Sequence, residues 1–246
     1  MTPRVYVGAA DAPPVAGAPF TLPEAAARHV AHALRMRRGE PLTLFTGAGG
    51  EWPSAIASLT RNAVVVVPQR HDAVERESAR ALTLVQAVIA ADTMDFVVRK
   101  SVELGAARIV PVVTERSQAT DDARLARRHA HWRQIAIAAC EQCGRNRIPS
   151  LDEPVRWDAW LAAGLVSGLA LDAAVLVDRS AATGLAAAHA AAPADIVVVG
   201  PEGGFTAAEI DAAVSRGARV AHLGTRVLRA ETAALAALAL TLLDGR

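Results

Sequence analysis

The sequence predicts an α/β fold preceded by a small β-rich domain. Three observations carry this. From Ala81 onward, apolar strand-like runs alternate with helical stretches, the pattern of parallel strands joined by helices. The first seventy or so residues instead hold "RVYVG", "PLTLFTG" and "AVVVVPQ", short β-type runs separated by Gly, Pro and polar turns. Between the two patterns, residues 71–80 (HDAVERESAR) are polar and charged and serve as the candidate linker. The expected division is residues 1–72 and residues 80–246.

The elements follow in order. One helical stretch, Leu22 to about Met36, lies among the early β runs and ends at Gly39. "ALTLVQAVI" reads as a buried strand, and "DTMDFVVRKSVELG" as a helix with Asp92 as N-cap and Gly105 as C-cap. "ARIVPVV" is a strand. Residues 121–141 form a long helix with Leu125, Trp132, Ile135 and Ala139 on an apolar stripe. "AAVLVD" is a strand, residues 183–191 a short helix, and "DIVVVG" a strand followed by a helix from Thr206. "ARVAHLG" is a strand. Ala230 to Leu243 is a final helix, apolar nearly all round and so expected to be buried.

Composition excludes several classes. The chain has 246 residues, 52% of them hydrophobic, enough for a sizeable core although much of that is alanine. No apolar run approaches the roughly 18–20 residues of a membrane span; Ala233 to Leu243 comes closest. The start, MTPRVYVG, lacks a basic-then-apolar signal pattern, so a cytoplasmic protein without membrane contact is expected. The net charge of +1 hides an asymmetry: residues 79–150 carry +4 and residues 151–246 carry −4. A basic block attracts polyanions such as RNA, although from charge alone a solvated face is the more ordinary reading. Cys140 and Cys143 form one CxxC without a second pair. His129 and His131 are two apart on a helix and point in different directions, so no metal site is expected.

Two glycine loops stand out. "GPEGGF" (200–205) lies between an apolar strand and a helix opened by Thr206 and Glu209, a T-x-x-E capping box. "HLGTRVLRAETA" (222–233) repeats the arrangement one βα unit later. Both loops therefore belong to the carboxyl edge of a parallel sheet, where ligands bind in open α/β folds. Neither matches a phosphate cradle. There is no G-x-x-x-x-G-K-[ST] and no G-x-G-x-x-G, Pro201 removes a backbone donor, and the Glu202 carboxylate would repel a phosphate. A carboxylate suits a cationic ligand or a ribose hydroxyl. The loops could also be tight turns with glycines at positive φ.

"VVVGPEGGFTAAEI" followed by "LGTRVLRAETA" resembles the signature of the RsmE family, SAM-dependent ribosomal RNA methyltransferases of the SPOUT class. "FVVRKSVELGAARIVPVVTERS", "WRQIAIAACEQCGRNRIP" and "HVAHALRMRRGEPLTLFTGAGGEW" resemble further family segments, in family order from about residue 4 to residue 243. Ala91, Asp92 and Thr93 depart from the family's usual glycine and basic residue, and Arg99 replaces a frequent glutamine. The resemblance implies a SPOUT-type knotted parallel-sheet methyltransferase domain with a C-terminal trefoil knot, behind a small PUA-like β-barrel that binds RNA. It implies a homodimer without metal, acting on N3 of a uridine in 16S rRNA of the small ribosomal subunit, the assembled subunit being the expected substrate.

By the same resemblance, SAM should lie against Val199, Gly200, Glu202, Gly203 and Gly204, with Leu223, Gly224, Arg226 and Leu228 closing over it. Uridine N3 must lose its proton, and the charge spreads onto O2 and O4. Arg226 and Arg229 are the nearest donors in sequence to stabilise it. Glu202 or Glu231 could accept the proton, although Glu231 also suits a helix N-terminus. RNA contacts are expected from Arg28, Arg35, Arg37 and Arg38, and from Arg145, Asn146 and Arg147. The latter three also fit a helix C-terminus capped by Gly144. Lys100 could touch RNA or pair with Glu103. A ribose 2′-O-methyltransferase, a non-catalytic RNA-binding module and a nucleotide-phosphate enzyme are the rival readings. The N-terminal domain with the CEQCGRNRIP segment, the two intact loops, and the missing phosphate motifs disfavour them in turn.

Overall fold

A computed structural model describes residues 2–8, 13–60, 63–118, 121–167 and 171–243. The chain forms two compact units, Met1–Glu77 with Ile137–Ile148, and Ser78–Ala136 with Pro149–Arg246.

In the first unit, β1 (Arg4–Tyr6), β2 (Phe20–Thr21), β3 (Pro41–Phe45), β4 (Trp52–Leu59) and β5 (Val64–Pro68) form a sheet in the order β1-β3-β4-β5-β2. β1 runs parallel to β3, and the other neighbours are antiparallel. β5 alternates buried and half-buried residues, as a strand with one face on a core must. That core gathers Val5, Leu22, Val30, Leu44, Trp52, Ile56 and Val66. Sequence reasoning missed β4 because Pro53 cannot donate to a ladder and reads as a breaker; it stands second in the strand, opposite Thr43. The helix expected over Leu22–Met36 is shorter. α1 covers Glu24–Arg28, a wider turn continues over His29–Ala33, and Arg35 ends it in the left-handed region at φ 51.

The second unit opens with β6 (Thr83–Ala87), α2 (Ala91–Leu104) and β7 (Arg108–Val113). α3 (Asp122–Cys143) follows, its last turns counted with the first unit. Then come β8 (Ser150–Leu151), β9 (Val155–Arg156), α4 (Trp157–Ser167), β10 (Ala174–Val177) and α5 (Leu185–Ala191). β11 (Ile196–Val199), α6 (Ala207–Val214), β12 (Arg219–Ala221) and α7 (Ala230–Leu242) complete it. The strands are all parallel, in the order β12-β10-β11-β6-β7-β8, with β9 also beside β7. This is the α/β class that the alternating pattern predicts. All four residues of β11 are buried, the signature of a strand covered on both faces.

On one face, Val85, Ala87, Val110 and Val198 pack with Trp157, Trp160 and Leu161 of α4 and Ala213 of α6. On the other, α7 packs on α2, α5, β6 and β11. To reach that place the chain leaves β12 at the sheet edge and runs alongside residues 183–185. There the His222 amide donates to the Thr183 carbonyl and the Leu185 amide to the His222 carbonyl. No described helix is long and apolar enough to cross a membrane.

Helix ends decide where the loops begin. Gly105 ends α2 at φ 97, as expected, and its amide reaches the Val102 carbonyl. The N-cap of α2 is Ala90 rather than Asp92, and no side chain caps it. α4 escaped sequence reasoning because it has little amphipathic contrast and carries Gly164 in its interior.

Candidate functional site

The strand order reverses between β6 and β11. From β6 the chain steps outward to β7 and β8, then returns to place β11 beside β6 with β10 and β12 beyond. Such a reversal leaves a crevice outside the carboxyl ends of the strands. A cavity of about 760 Å³ lies there, within the roughly 300–1,000 Å³ of small-molecule sites. Its walls follow β6, β7, β10, β11 and β12, and every lining residue belongs to the second unit.

The 200–205 loop is built by close approach. The Gly204 amide donates to the Pro201 carbonyl at 2.9 Å, closing the turn. A Cβ on Gly200 would stand 3.0 Å from the Phe205 ring, and one on Gly203 3.2 Å from Cβ and 3.3 Å from Cδ of Arg116. Either contact is tighter than ordinary carbon packing at about 3.5–4.0 Å. Phe205 is in turn held from below, its ring 5.1 Å from that of Trp157. The capping box forms as the sequence predicts: Thr206 Oγ1 accepts from the Glu209 amide, and Glu209 Oε2 accepts from the Thr206 amide. Glu209 does more. It is buried, and its Oε1 accepts from the Glu115 amide at 2.8 Å, joining the loop to the turn after β7.

Glu202 also ties two segments. Its Oε1 accepts from the Ala90 amide at 3.1 Å, so the loop is held to the uncapped start of α2. Arg116 Nη1 donates to the carbonyls of Gly203 at 2.9 Å and Phe205 at 3.4 Å. In the second loop, Nδ1 of His222 accepts from the Gly224 amide at 2.9 Å, and Arg229 is the N-cap of α7.

Val199, Gly200, Glu202, Gly203, Gly204, Leu223, Gly224, Arg226 and Leu228 all line this one cavity, and so do Arg229 and Glu231. Ala90, Thr93, Arg116 and Val177–Ser180 line it as well, and sequence reasoning did not assign them to the site. The signal for the 177–180 wall was present, since it leaves a strand at the same sheet edge as the two glycine loops. Arg116 carried no such signal, because its contacts lie 87 and 89 positions away.

The residues expected to touch RNA are placed differently. Arg28, Arg35, Arg37 and Arg38 are exposed on the first unit. Arg147 is also largely exposed and pairs with Glu75 at 3.2 Å. Arg145 and Asn146 are buried in the first unit. The Arg145 guanidinium pairs with Glu77, and the Asn146 amide donates to the Val74 carbonyl at 2.6 Å. Beside them Glu51 accepts from Arg4 at 2.6 Å and Arg76 at 2.8 Å. The Arg76 hydrogen bond, aided by Arg4 and Asn146 and opposed by burial, holds the Glu51 carboxyl at about 2. Lys100, in the second unit, donates to both oxygens of Glu103 at 2.8 Å.

The family model for an RNA methyltransferase domain matches residues 76–242, and that for an RNA methyltransferase PUA domain matches residues 22–69. Fold, site position and domain content thus define the class as RNA methyltransferases. Among relatives, the ribosomal RNA small subunit methyltransferase E of Mycobacterium bovis is 32% identical over 85% of this chain and 80% of its own length. A ribosomal RNA small subunit methyltransferase E from Neisseria gonorrhoeae, solved bound to S-adenosyl methionine, is 33% identical with a TM-score of 0.84, over 97% of this chain and 96% of that one. A methyltransferase from Legionella pneumophila, solved with the bound cofactor SAM, is 34% identical with a TM-score of 0.86, over 100% and 98%. The chain belongs to the ribosomal RNA small subunit methyltransferase E family.

Proposed function

We propose that the chain is a SAM-dependent methyltransferase that modifies N3 of a uridine in 16S rRNA, with the small ribosomal subunit as substrate. The cavity carries this reading. All nine residues that the family resemblance assigns to the cofactor line it, in a chain about a third identical to structures solved with SAM. The residues present fit that group. A Cβ on Gly200 would crowd the Phe205 ring and one on Gly203 the Arg116 stem, so glycine lets the backbone itself form the wall. Val199, Leu223 and Leu228 offer an apolar surface, and Glu202 a carboxylate for a cationic or hydroxyl-bearing ligand.

SAM, when bound, supplies a methyl group on a positively charged sulfur. The chain's own residues supply orientation and charge. The Gly200–Gly204 turn and the 223–228 loop hold the cofactor from two sides. Arg226 and Arg229, exposed at the cavity, donate to the uracil oxygens and stabilise the charge that forms when N3 loses its proton. Of the lining carboxylates, Asp178 already accepts from Ser180. Glu202, one oxygen of which accepts from the Ala90 amide, and Glu231, which lines the same cavity, are the candidate proton acceptors. Arg28, Arg35, Arg37 and Arg38 hold RNA from the first unit. A homodimer forms over the groove between α2 and α7, where Phe96, Leu235 and Ala239 leave apolar surface.

The test is incubation with labelled SAM and either small ribosomal subunits or naked 16S rRNA from cells lacking the modification. An N3 methyl blocks the Watson–Crick edge, so label with a reverse-transcription stop at one uridine is expected, with subunits preferred. No label, or label without a stop, removes the N3 reading.

A further inference from the structure

Several arginines of the second unit are engaged internally. Arg80 pairs with Asp195, Arg108 with Asp152, and Arg219 donates to the Ala188 carbonyl. Arg124 and Arg127, on the first two turns of α3, differ. Both are exposed, and among the described residues neither side chain has a partner. Among the described residues no carboxylate forms an ion pair with either. Asp121 Oδ1 accepts the backbone amide of Arg124, and Asp95 is engaged by His131 and Trp132.

Positions i, i+3 and i+4 share a helix face, so Arg124, Arg127 and Arg128 lie along one flank of α3. Arg128 fixes which way that flank faces. Its Nη2 donates to the Ile89 carbonyl at 2.8 Å, and its guanidinium lies 4.9 Å from the centre of the Trp132 ring. Ile89 precedes Ala90, which lines the cavity and is bonded to Glu202. Arg128 thus ties this flank of α3 to the turn between β6 and α2, the turn that also carries the cavity-lining Ala90. Arg124 and Arg128 also form a like-charge i,i+4 pair, which disfavours the isolated helix. Three guanidinium groups on one flank, two of them unpaired, make a surface suited to an external polyanion.

We propose that this flank is a phosphate-binding track that carries RNA past the cavity mouth, Arg124 and Arg127 each contacting a backbone phosphate close to the target nucleotide. This rests on the RNA methyltransferase reading and adds the surface by which the second unit holds its substrate. The contacts position the RNA without reading its sequence.

Counterion release gives the signature. Each single-stranded phosphate contact removed lowers the slope of log affinity against log salt by about 0.7. The probe is a fluorescein-labelled single-stranded RNA copied from 16S rRNA, titrated with wild type and with the Arg124→Gln/Arg127→Gln variant over a salt series. The variant should bind about 25-fold more weakly near 0.1 M salt, with a slope shallower by about 1.4. Its SAM affinity by calorimetry should stay within about twofold of wild type, since neither residue lines the cavity. Unchanged RNA affinity and slope would overturn the proposal. So would weaker binding at an unchanged slope, which marks a shape effect rather than a phosphate contact. Failure of the wild-type protein to methylate small subunits would remove the enzymatic reading, while the salt slopes would still decide whether this flank binds RNA.

Discussion

Removing the Glu209 carboxylate should loosen the 200–206 loop at a cost well beyond that of an ordinary helix cap. The carboxylate is buried. Its Oε2 accepts from the Thr206 amide at 2.9 Å and the Thr206 hydroxyl at 3.2 Å, and its Oε1 from the Glu115 amide at 2.8 Å. Glu209→Ala strips the acceptor from both amides. Hydrogen bonds to a charged group contribute about 1.5–3 kcal/mol each. The Thr206 end is only half-buried and can rehydrate, which lowers the total to about 2–4 kcal/mol. At roughly 2–4 °C per kcal/mol for a protein of this size, Tm should fall by about 4–16 °C. Thr206→Ala is the control. It removes the acceptor for the Glu209 amide and the hydroxyl donor to Glu209 Oε2, leaves both amide-to-carboxylate bonds in place, and should cost about 1 kcal/mol. Thermal and urea unfolding of both variants, with SAM titration alongside, read the carboxylate's bonds to the Thr206 and Glu115 amides as the excess of Glu209→Ala over Thr206→Ala. If Glu209→Ala costs no more than Thr206→Ala, the bond to Glu115 has no weight and the loop is not anchored to the turn after β7.

Three further outcomes follow from the geometry. The Glu51 carboxyl is held at about 2 against an ordinary 4.5. Its depressed value means a stabilisation that is complete above about 4.5 and is lost as pH falls toward 2, worth on the order of 3 kcal/mol to the first unit. Urea unfolding across that window should show the loss in wild type and a flatter profile in Glu51→Gln. Burial pushes the Cys140 thiol up to about 12, whereas Cys143 is partly exposed. Iodoacetamide at about pH 8 should therefore label Cys143 first, read by peptide mass; equal labelling would contradict the burial of Cys140. Gly200→Ala should push the Phe205 ring off Trp157, changing tryptophan emission and weakening SAM binding by about tenfold or more. Unchanged emission would show that the ring yields without moving the indole.

Much of the second unit was legible because its signals are local. A capping box spans three residues, a buried parallel strand is a short apolar run, and Gly105 marks a helix end by its own conformation. Both glycine loops could be placed at one sheet edge on those grounds alone. What escaped depends on contacts between distant positions or on weak local contrast. Pro53 disguised β4, which pairs on both sides with β3 and β5. Asp92 looked like an N-cap, but α2 starts two residues earlier, where Glu202 holds the Ala90 amide from 112 positions away. The Glu115 and Arg116 ties to the glycine loop have no periodicity to betray them. The 145–147 segment reads in sequence either as RNA contacts or as a helix C-terminus capped by Gly144. Folding instead spends Arg145 and Asn146 on Glu77 and the Val74 carbonyl inside the first unit.

The most direct test of the central claim, that the crevice at the β6/β11 reversal is the SAM site, is calorimetric titration of SAM into wild type and Gly203→Val. A valine there meets the Arg116 stem at 3.2–3.3 Å and fills the loop wall. The account predicts measurable SAM binding to wild type and none to the variant, with hydrogen-exchange protection of β3, β4 and β5 unchanged, so that the first unit is still folded. SAM affinity equal to that of wild type in Gly203→Val would contradict it.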